Sequence, residues 1–320
     1  LNLSKDFKLT NIDSFNFNYL NNKQVKNQLL LKKINSNYNI VGESFDATKL
    51  INKILDSDDT NSSLFHNLNS KITLKINKTY IDEINFINKL SGVLSFKNNK
   101  IDNLNLVSTF PNNKKVNLTV KINEKKEKIT KFFSNYPKPL IKRYDFINGF
   151  EEGFLVYQSV KKDETSNGLL TIENFKIREV PSFAKLLSLA SLQGMADLLT
   201  GEGIRFNDFE MKFSNKNKLT TIDEMYATGP AVSILMDGYI ETDKLISLRG
   251  TLVPATTINR TIASIPLLGN ILVGKKTGEG VFGVSFKVKG TPKNLETTVN
   301  PIKTLTPRFI TRTLENIKKN

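Results

Sequence analysis

The chain has 320 residues, 46 lysines and arginines against 31 acidic residues, no cysteine and one histidine, for a formal net charge of +15 at pH 7. That composition excludes disulfides, thiolate metal sites and a cysteine nucleophile, and without 18 consecutive apolar residues there is no transmembrane-helix pattern. At 39% hydrophobic and 24% charged residues, the chain can bury the core of one large or two ordinary domains.

The predicted elements along the chain are mostly strands. Residues 28–35 read as the first. A helix follows over 46–55, with Asp46 as its N-cap and Leu50, Ile51, Ile54 and Leu55 on one face. His66, in the polar stretch NSSLFHNLNS, reads as a solvated loop residue. Strand patterns recur at 71–77, 93–96, 102–108, 116–122, 153–159 and 168–177, parted by turns such as Phe96-Lys-Asn-Asn-Lys100. The stretch Pro181–Thr200 opens on a helix-compatible proline and stops at Gly201. Its apolar side chains, Phe183, Leu187 and Met195 among them, run nearly all round, so this helix needs an apolar partner or burial on several sides. It is either a core or end-plug helix, or one that contacts a membrane or gates a site.

Strands resume at 206–213 and 218–226. Val232, Ile234, Met236 and Ile240 then alternate, and a Glu-Thr-Asp turn leads into Lys244–Arg249, the pattern of a hairpin. A helix broken by Pro266 and Gly269 is expected over 257–273. In 281–289, Phe282, Val284, Phe286 and Val288 point one way, with Ser285, Lys287 and Lys289 on the other side. A last helix is expected from Pro307 through the basic C-terminus. Consecutive strands joined by short turns make a meander, so the fold class is mainly β: roughly fourteen antiparallel strands with one apolar face. The expected division is 1–160 and 161–320.

Little in the chain points to chemistry. Gly269-Asn-Ile-Leu-Val-Gly274-Lys275-Lys276-Thr277 is close to a phosphate-binding loop. A P-loop, however, needs a strand before it and a helix after it, and here the order is reversed, with Lys276 where the magnesium-binding hydroxyl belongs. The acidic pairs Asp58-Asp59, Glu151-Glu152 and Asp163-Glu164 sit in polar turns, and neighbours on a strand face opposite ways, which does not set two carboxylates to work together. No catalytic residue, metal or cofactor is expected. The lysines are scattered among Asn and Glu without interleaved aromatics, which argues against nucleic acid as the partner.

Several stretches resemble the C-terminal region of the AsmA-like proteins, the AsmA, TamB and YhdP type of the Gram-negative envelope. They are Gly168-Leu-Leu-Thr-Ile-Glu-Asn-Phe175, the Pro181–Leu199 helix with Gly201-Glu-Gly-Ile-Arg-Phe206, Gly229-Pro230, Leu248-Arg-Gly-Thr-Leu-Val-Pro254, Asn259, Ile265-Pro-Leu-Leu-Gly269, Gly278-Glu-Gly280 and Asn300-Pro301. Upstream, Gly42-Glu-Ser-Phe-Asp-Ala-Thr-Lys-Leu-Ile51 looks like a related element. The resemblance implies a long curved sheet folded like a taco around an apolar groove, with a few amphipathic helices near the C-terminal end. Residues 1–160 would be an elongated groove segment and 161–320 the family's C-terminal region. It implies a non-enzymatic conduit passing phospholipid between inner and outer membranes, periplasmic and anchored by a segment upstream of this chain. The implied partners are phospholipid acyl chains, membranes at one or both ends, and an envelope protein. Val232, Ile234, Met236, Phe282, Val284, Phe286 and Val288 are the groove candidates; Phe183, Leu187 and Met195 are the helix candidates. A structural or assembly factor acting through sheet edges is the alternative. From the alternation alone, a core closed as a sandwich or small barrel fits equally well.

Overall fold

Alternating apolar and polar residues place successive side chains on opposite faces of a pleated strand, and strands dominate the computed structural model. It describes residues 2–3, 5, 9–51, 69–98, 100–141, 149–178, 184, 187, 201–242, 244–254, 283–292 and 294–302. In the first half are β1 (Asn2–Leu3), β2 (Leu9–Asn11), β3 (Ser14–Leu20), β4 (Lys26–Ile34), β5 (Asn37–Asp46), β6 (Ser70–Tyr80), β7 (Phe86–Lys97), β8 (Lys100–Thr109), β9 (Lys115–Ile122) and β10 (Lys128–Ser134). After a helical turn at Lys138–Ile141 come β11 (Phe150–Lys162), β12 (Thr165–Ile177), β13 (Ile204–Lys216), β14 (Leu219–Thr228), β15 (Val232–Glu241), β16 (Leu245–Pro254), β17 (Gly283–Thr291) and β18 (Asn294–Ile302).

β1 and β2 pair with each other, and β3 to β18 follow one another in chain order in a sixteen-stranded sheet. Its order does not close: β3 and β18 each have a single ladder neighbour among the described strands. One step departs from the expected meander. β5 and β6 run parallel, from Tyr38↔Ile72 to Asp46↔Tyr80. Parallel neighbours need a crossover of a dozen residues or more, and residues 47–69 supply it. The expected helix begins there, with 48–51 helical and Ile51 N–H donating to the Ala47 carbonyl at 2.8 Å. Asp46 caps it as expected: the Thr48 amide donates to its Oδ1 at 3.0 Å.

The abundance of asparagine has a structural use at the turns. β4–β5, β7–β8, β11–β12 and β13–β14 are joined by two-residue loops whose first residues, Asn35, Asn98, Asp163 and Asn217, have φ of 49–58°. Asn and Asp tolerate this left-handed region because their short polar side chains bond locally to the backbone. Three of the strands absent from the predicted set have a local reason. β5 carries Gly42 in mid-strand, where a Cβ would collide with Leu29 and lie 2.5 Å from the Gln28 carbonyl oxygen. β10 holds the adjacent Phe132 and Phe133, which spoil the period. β18 is polar and contains Pro301.

The chain divides into two compact units, Leu1–Tyr136 with Leu155–Glu164, and Pro137–Phe154 with Thr165–Asn320. The second unit is the more densely buried. Phe150, Phe175 and Phe206 form a stack with ring centroids 5.4 and 5.3 Å apart, and Phe209 meets Phe175 edge-on at 6.3 Å. This cluster depends on Asn174, whose φ of 51° interrupts the alternation of β12. Glu173 and Asn174 both face outward, so Ile172 and Phe175 are both buried. Ala184 and Leu187 are helical, as expected of the 181–200 stretch. Phe183, Met195, the 257–273 and Pro307 helices, the glycine-rich 269–280 stretch and His66 lie outside the described residues.

Candidate functional site

Register decides which side chains share a face, because directly paired residues point the same way. In the first unit the pairs Phe15↔Leu31, Leu31↔Ile40, Ile40↔Leu74, Leu74↔Gly92, Gly92↔Leu106, Leu106↔Leu118, Leu118↔Phe132 and Phe132↔Tyr157 string nine residues into one row across β3 to β11. At about 4.8 Å between neighbouring strands, the row runs roughly 38 Å along the sheet. A second row beside it passes through Tyr38, Ile72, Leu94, Leu104 and Val120. The reverse face of the same strands carries Lys71, Thr73 and Lys75 on β6, Asn103 and Asn105 on β8, and Lys131 on β10. The same reverse face also carries Leu30, Val41, Val107, Phe133 and Val156, so it is mixed, and the face of the Phe15–Tyr157 row is the more apolar of the two.

The apolar side is only partly covered. Ile76, Leu104 and Val120 are buried, but Ile72, Leu74, Leu94, Leu106, Leu118 and Phe132 are half-buried, and Phe17 and Ile122 are exposed. Among the described elements, each strand packs chiefly on its ladder neighbours. A continuous apolar face in this state is far larger than the scattered apolar residues of an ordinary surface.

The groove candidates read from the sequence lie in the second unit, where the structure does bring them together. Ile234 pairs with Leu252, and Leu252 with Val284; Met236 pairs with Gly250, and Gly250 with Phe286. Val232, Ile234, Met236, Val284, Phe286 and Val288 thus share a face of β15–β17. All are buried except Met236, which is half-buried, and Val232 and Val284 have no exposure at all. The Phe286 ring also covers Gly250, its Cζ 2.7 Å from where a Cβ would stand. Leu187 of the helix candidates is fully buried, while Phe282 lies outside the described residues. The residues of the open face in the first unit are those that sequence reading passed over. The signal was present in the alternation Ile72, Leu74, Ile76 and Leu104, Leu106, but alternation carries no information on what covers a face.

Several charged groups near the strands have structural partners. Glu151 pairs with Arg178 at 3.1 Å and Lys138 at 3.8 Å. Glu152 receives the Arg205 guanidinium through both oxygens, at 2.9 and 3.2 Å, and this bond holds the carboxyl below its ordinary pKa. Asp163 and Glu164 form a hairpin loop. Burial works to raise the Asp46 pKa, yet hydrogen bonds from Thr48 and Asn21, with Lys23 nearby, bring it below the usual value. Among the described residues no three histidine or carboxylate side chains gather as a metal set, and no helix is long and apolar enough to cross a membrane.

Comparison with protein-family models, with curated proteins and with solved structures finds no match to this chain.

Proposed function

We propose that the chain is a non-enzymatic lipid carrier of the AsmA-like kind, and that the half-covered face of its first unit holds phospholipid acyl chains. The observation that carries the reading is the row from Phe15 to Tyr157, continuously apolar and half-covered, on a sheet whose reverse side mixes polar and apolar residues. Its length of roughly 38 Å exceeds the roughly 15 Å of one leaflet's hydrocarbon. Each methylene laid on such a face gains about 0.8 kcal/mol when fully withdrawn from water. No fixed polar contact interrupts the row, so a chain can shift along it with little barrier. The resemblance over about residues 168–310 supplies the setting: passage of phospholipid between the two membranes of a cell envelope, in the periplasm, from an anchor upstream.

Native mass spectrometry of the purified chain, with extraction and identification of bound lipid, tests this. Co-purifying phospholipid that disappears in a folded Leu118→Asp variant is the expected result. A folded, lipid-free wild type would favour the second reading, strand addition at a sheet edge by an assembly partner. One observation favours that reading: β3 has a ladder on one side only among the described strands and leaves Phe17, Tyr19 and Leu20 exposed.

A further inference from the structure

The apolar face of the first unit has a polarity gradient at its β10–β11 end. On one face, the pairs from one end to the other are Ser134↔Leu155, Phe132↔Tyr157, Thr130↔Ser159 and Lys128↔Lys161. Rings therefore give way to hydroxyls, and hydroxyls to ammonium groups, in steps of roughly 6.8 Å along the strands. Ile122 is the partner of Lys128 on the other side, so the lysines stand at the border of the apolar surface.

Two like charges directly opposite on adjacent strands are unfavourable. Among the described residues neither lysine has an ion-pair partner. Glu127, beside Lys128 in sequence, is held by the Asn123 amide at 2.8 Å, and Asp163 and Glu164, close to Lys161 in sequence, are in none of the described ion pairs. Both lysines are exposed, yet burial of the Lys128 stem and the charge of Lys161 lower the Lys128 pKa. Two ammonium groups on flexible apolar stems, converging from adjacent strands, suit a compact anion such as phosphate.

We infer that Lys128 and Lys161 take the phosphate of a phospholipid, with Thr130 and Ser159 beside its ester linkages and Phe132 and Tyr157 against its chains. This rests on the reading of the same face as an acyl-chain surface. It adds a polarity to that surface: the headgroup lies at the β9–β10 turn, and the chains extend toward the Leu118 row. Two steps, about 13.6 Å in all, separate the rings from the ammonium groups, with the hydroxyl pair midway.

The test is equilibrium binding of monomeric labelled phosphatidylglycerol and of diacylglycerol with the same chains. The proteins are wild type, a Lys128→Gln/Lys161→Gln double variant, and a Lys71→Gln/Lys75→Gln control on the reverse face. The double variant should bind phosphatidylglycerol at least about tenfold more weakly, with diacylglycerol within about twofold of wild type and the control unchanged. Unchanged phosphatidylglycerol binding in the double variant, or an equal loss in the control, would overturn the headgroup site while leaving the acyl-chain surface in place. If wild type binds neither lipid, the carrier reading falls and this site with it. If inorganic phosphate binds as tightly as phosphatidylglycerol, the occupant is a free anion and the lipid assignment is wrong.

Discussion

In the second unit, Val232, Leu252, Val253 and Val284 are withdrawn from solvent completely, and Phe206 and Ile204 nearly so. In the first unit, Leu74, Leu106, Leu118 and Phe132 occupy the same kind of position, alternate residues on one face of an antiparallel ladder, and stay half-exposed. Most of the large hydrophobic side chains that stand exposed, such as Leu20, Ile34, Val107 and Ile122, also belong to the first unit. Both units are built on long ladders with register shifts in each, so the presence of regular pairing does not by itself separate them. A strand pattern makes an apolar face; whether that face becomes core or binding surface depends on what lies over it.

The sharpest way to break the comparison is to place the same charge in both faces. Val284→Asp or Ile234→Asp should cost about 3–5 kcal/mol, because the carboxylate would be buried without a partner. That is a large part of a typical domain's stability. Leu118→Asp in the half-open face should cost about 1 kcal/mol or less and abolish lipid occupancy instead. Melting curves of these variants beside lipid extraction separate the two outcomes; equal destabilisation in both units would show that the first face is also core.

Truncations sharpen the same contrast at smaller scale. Phe206→Ala removes a buried ring from the Phe150–Phe175–Phe206 stack and should cost about 3–5 kcal/mol, whereas Leu106→Ala should cost about 1 kcal/mol, read from urea midpoints. A control alters the ladder and not the face. Gly92 in the first unit and Gly238 in the second have φ of 154° and 148°, and a Cβ on either would strike the carbonyl oxygen of Asn105 or Ser247 on the next strand. Ala at either position should destabilise by a similar roughly 1–3 kcal/mol, and a marked inequality would place the difference between the units in the backbone.

Acid should act on the first unit through Asp46. Its pKa is lowered in the folded state, so its contribution is fully present above the ordinary value of 3.8 and is lost as pH falls through the folded value. The stability gap between wild type and Asp46→Asn should narrow as pH drops below about 4, and a gap independent of pH would remove the carboxylate from the account. The smallest effect is expected for Glu152→Gln. The Glu152–Arg205 pair is solvent-exposed and screened, so melting should barely change and should become insensitive to salt at that site.

Much of this was legible in the residues themselves. The period of two in Val284-Ser-Phe-Lys-Val288, the Asn-rich turns and the Asp46 cap follow from local stereochemistry, which acts within a few residues and so can be read locally. Strands with mixed neighbours, such as β10 with its paired phenylalanines, and β18 with Pro301, were hidden because ladder bonding to neighbouring strands overrides weak local preference. The parallel β5–β6 step was hidden for a related reason. A helix between two strands permits a crossover, but only the pairing of Tyr38 with Ile72 shows that it is used.

By itself, then, the sequence determined the class of structure, the turns and the two-sidedness of the strands, since alternation and turn chemistry are properties of adjacent residues. Only the tertiary structure decided that Val232, Ile234 and Val284 are sealed from water while Leu74, Leu106 and Leu118 remain half-open. Only register aligned Lys128 with Lys161, Thr130 with Ser159 and Phe132 with Tyr157 in successive steps. The physical reason is that burial and cross-strand alignment depend on residues distant in the chain, whose proximity no local pattern encodes.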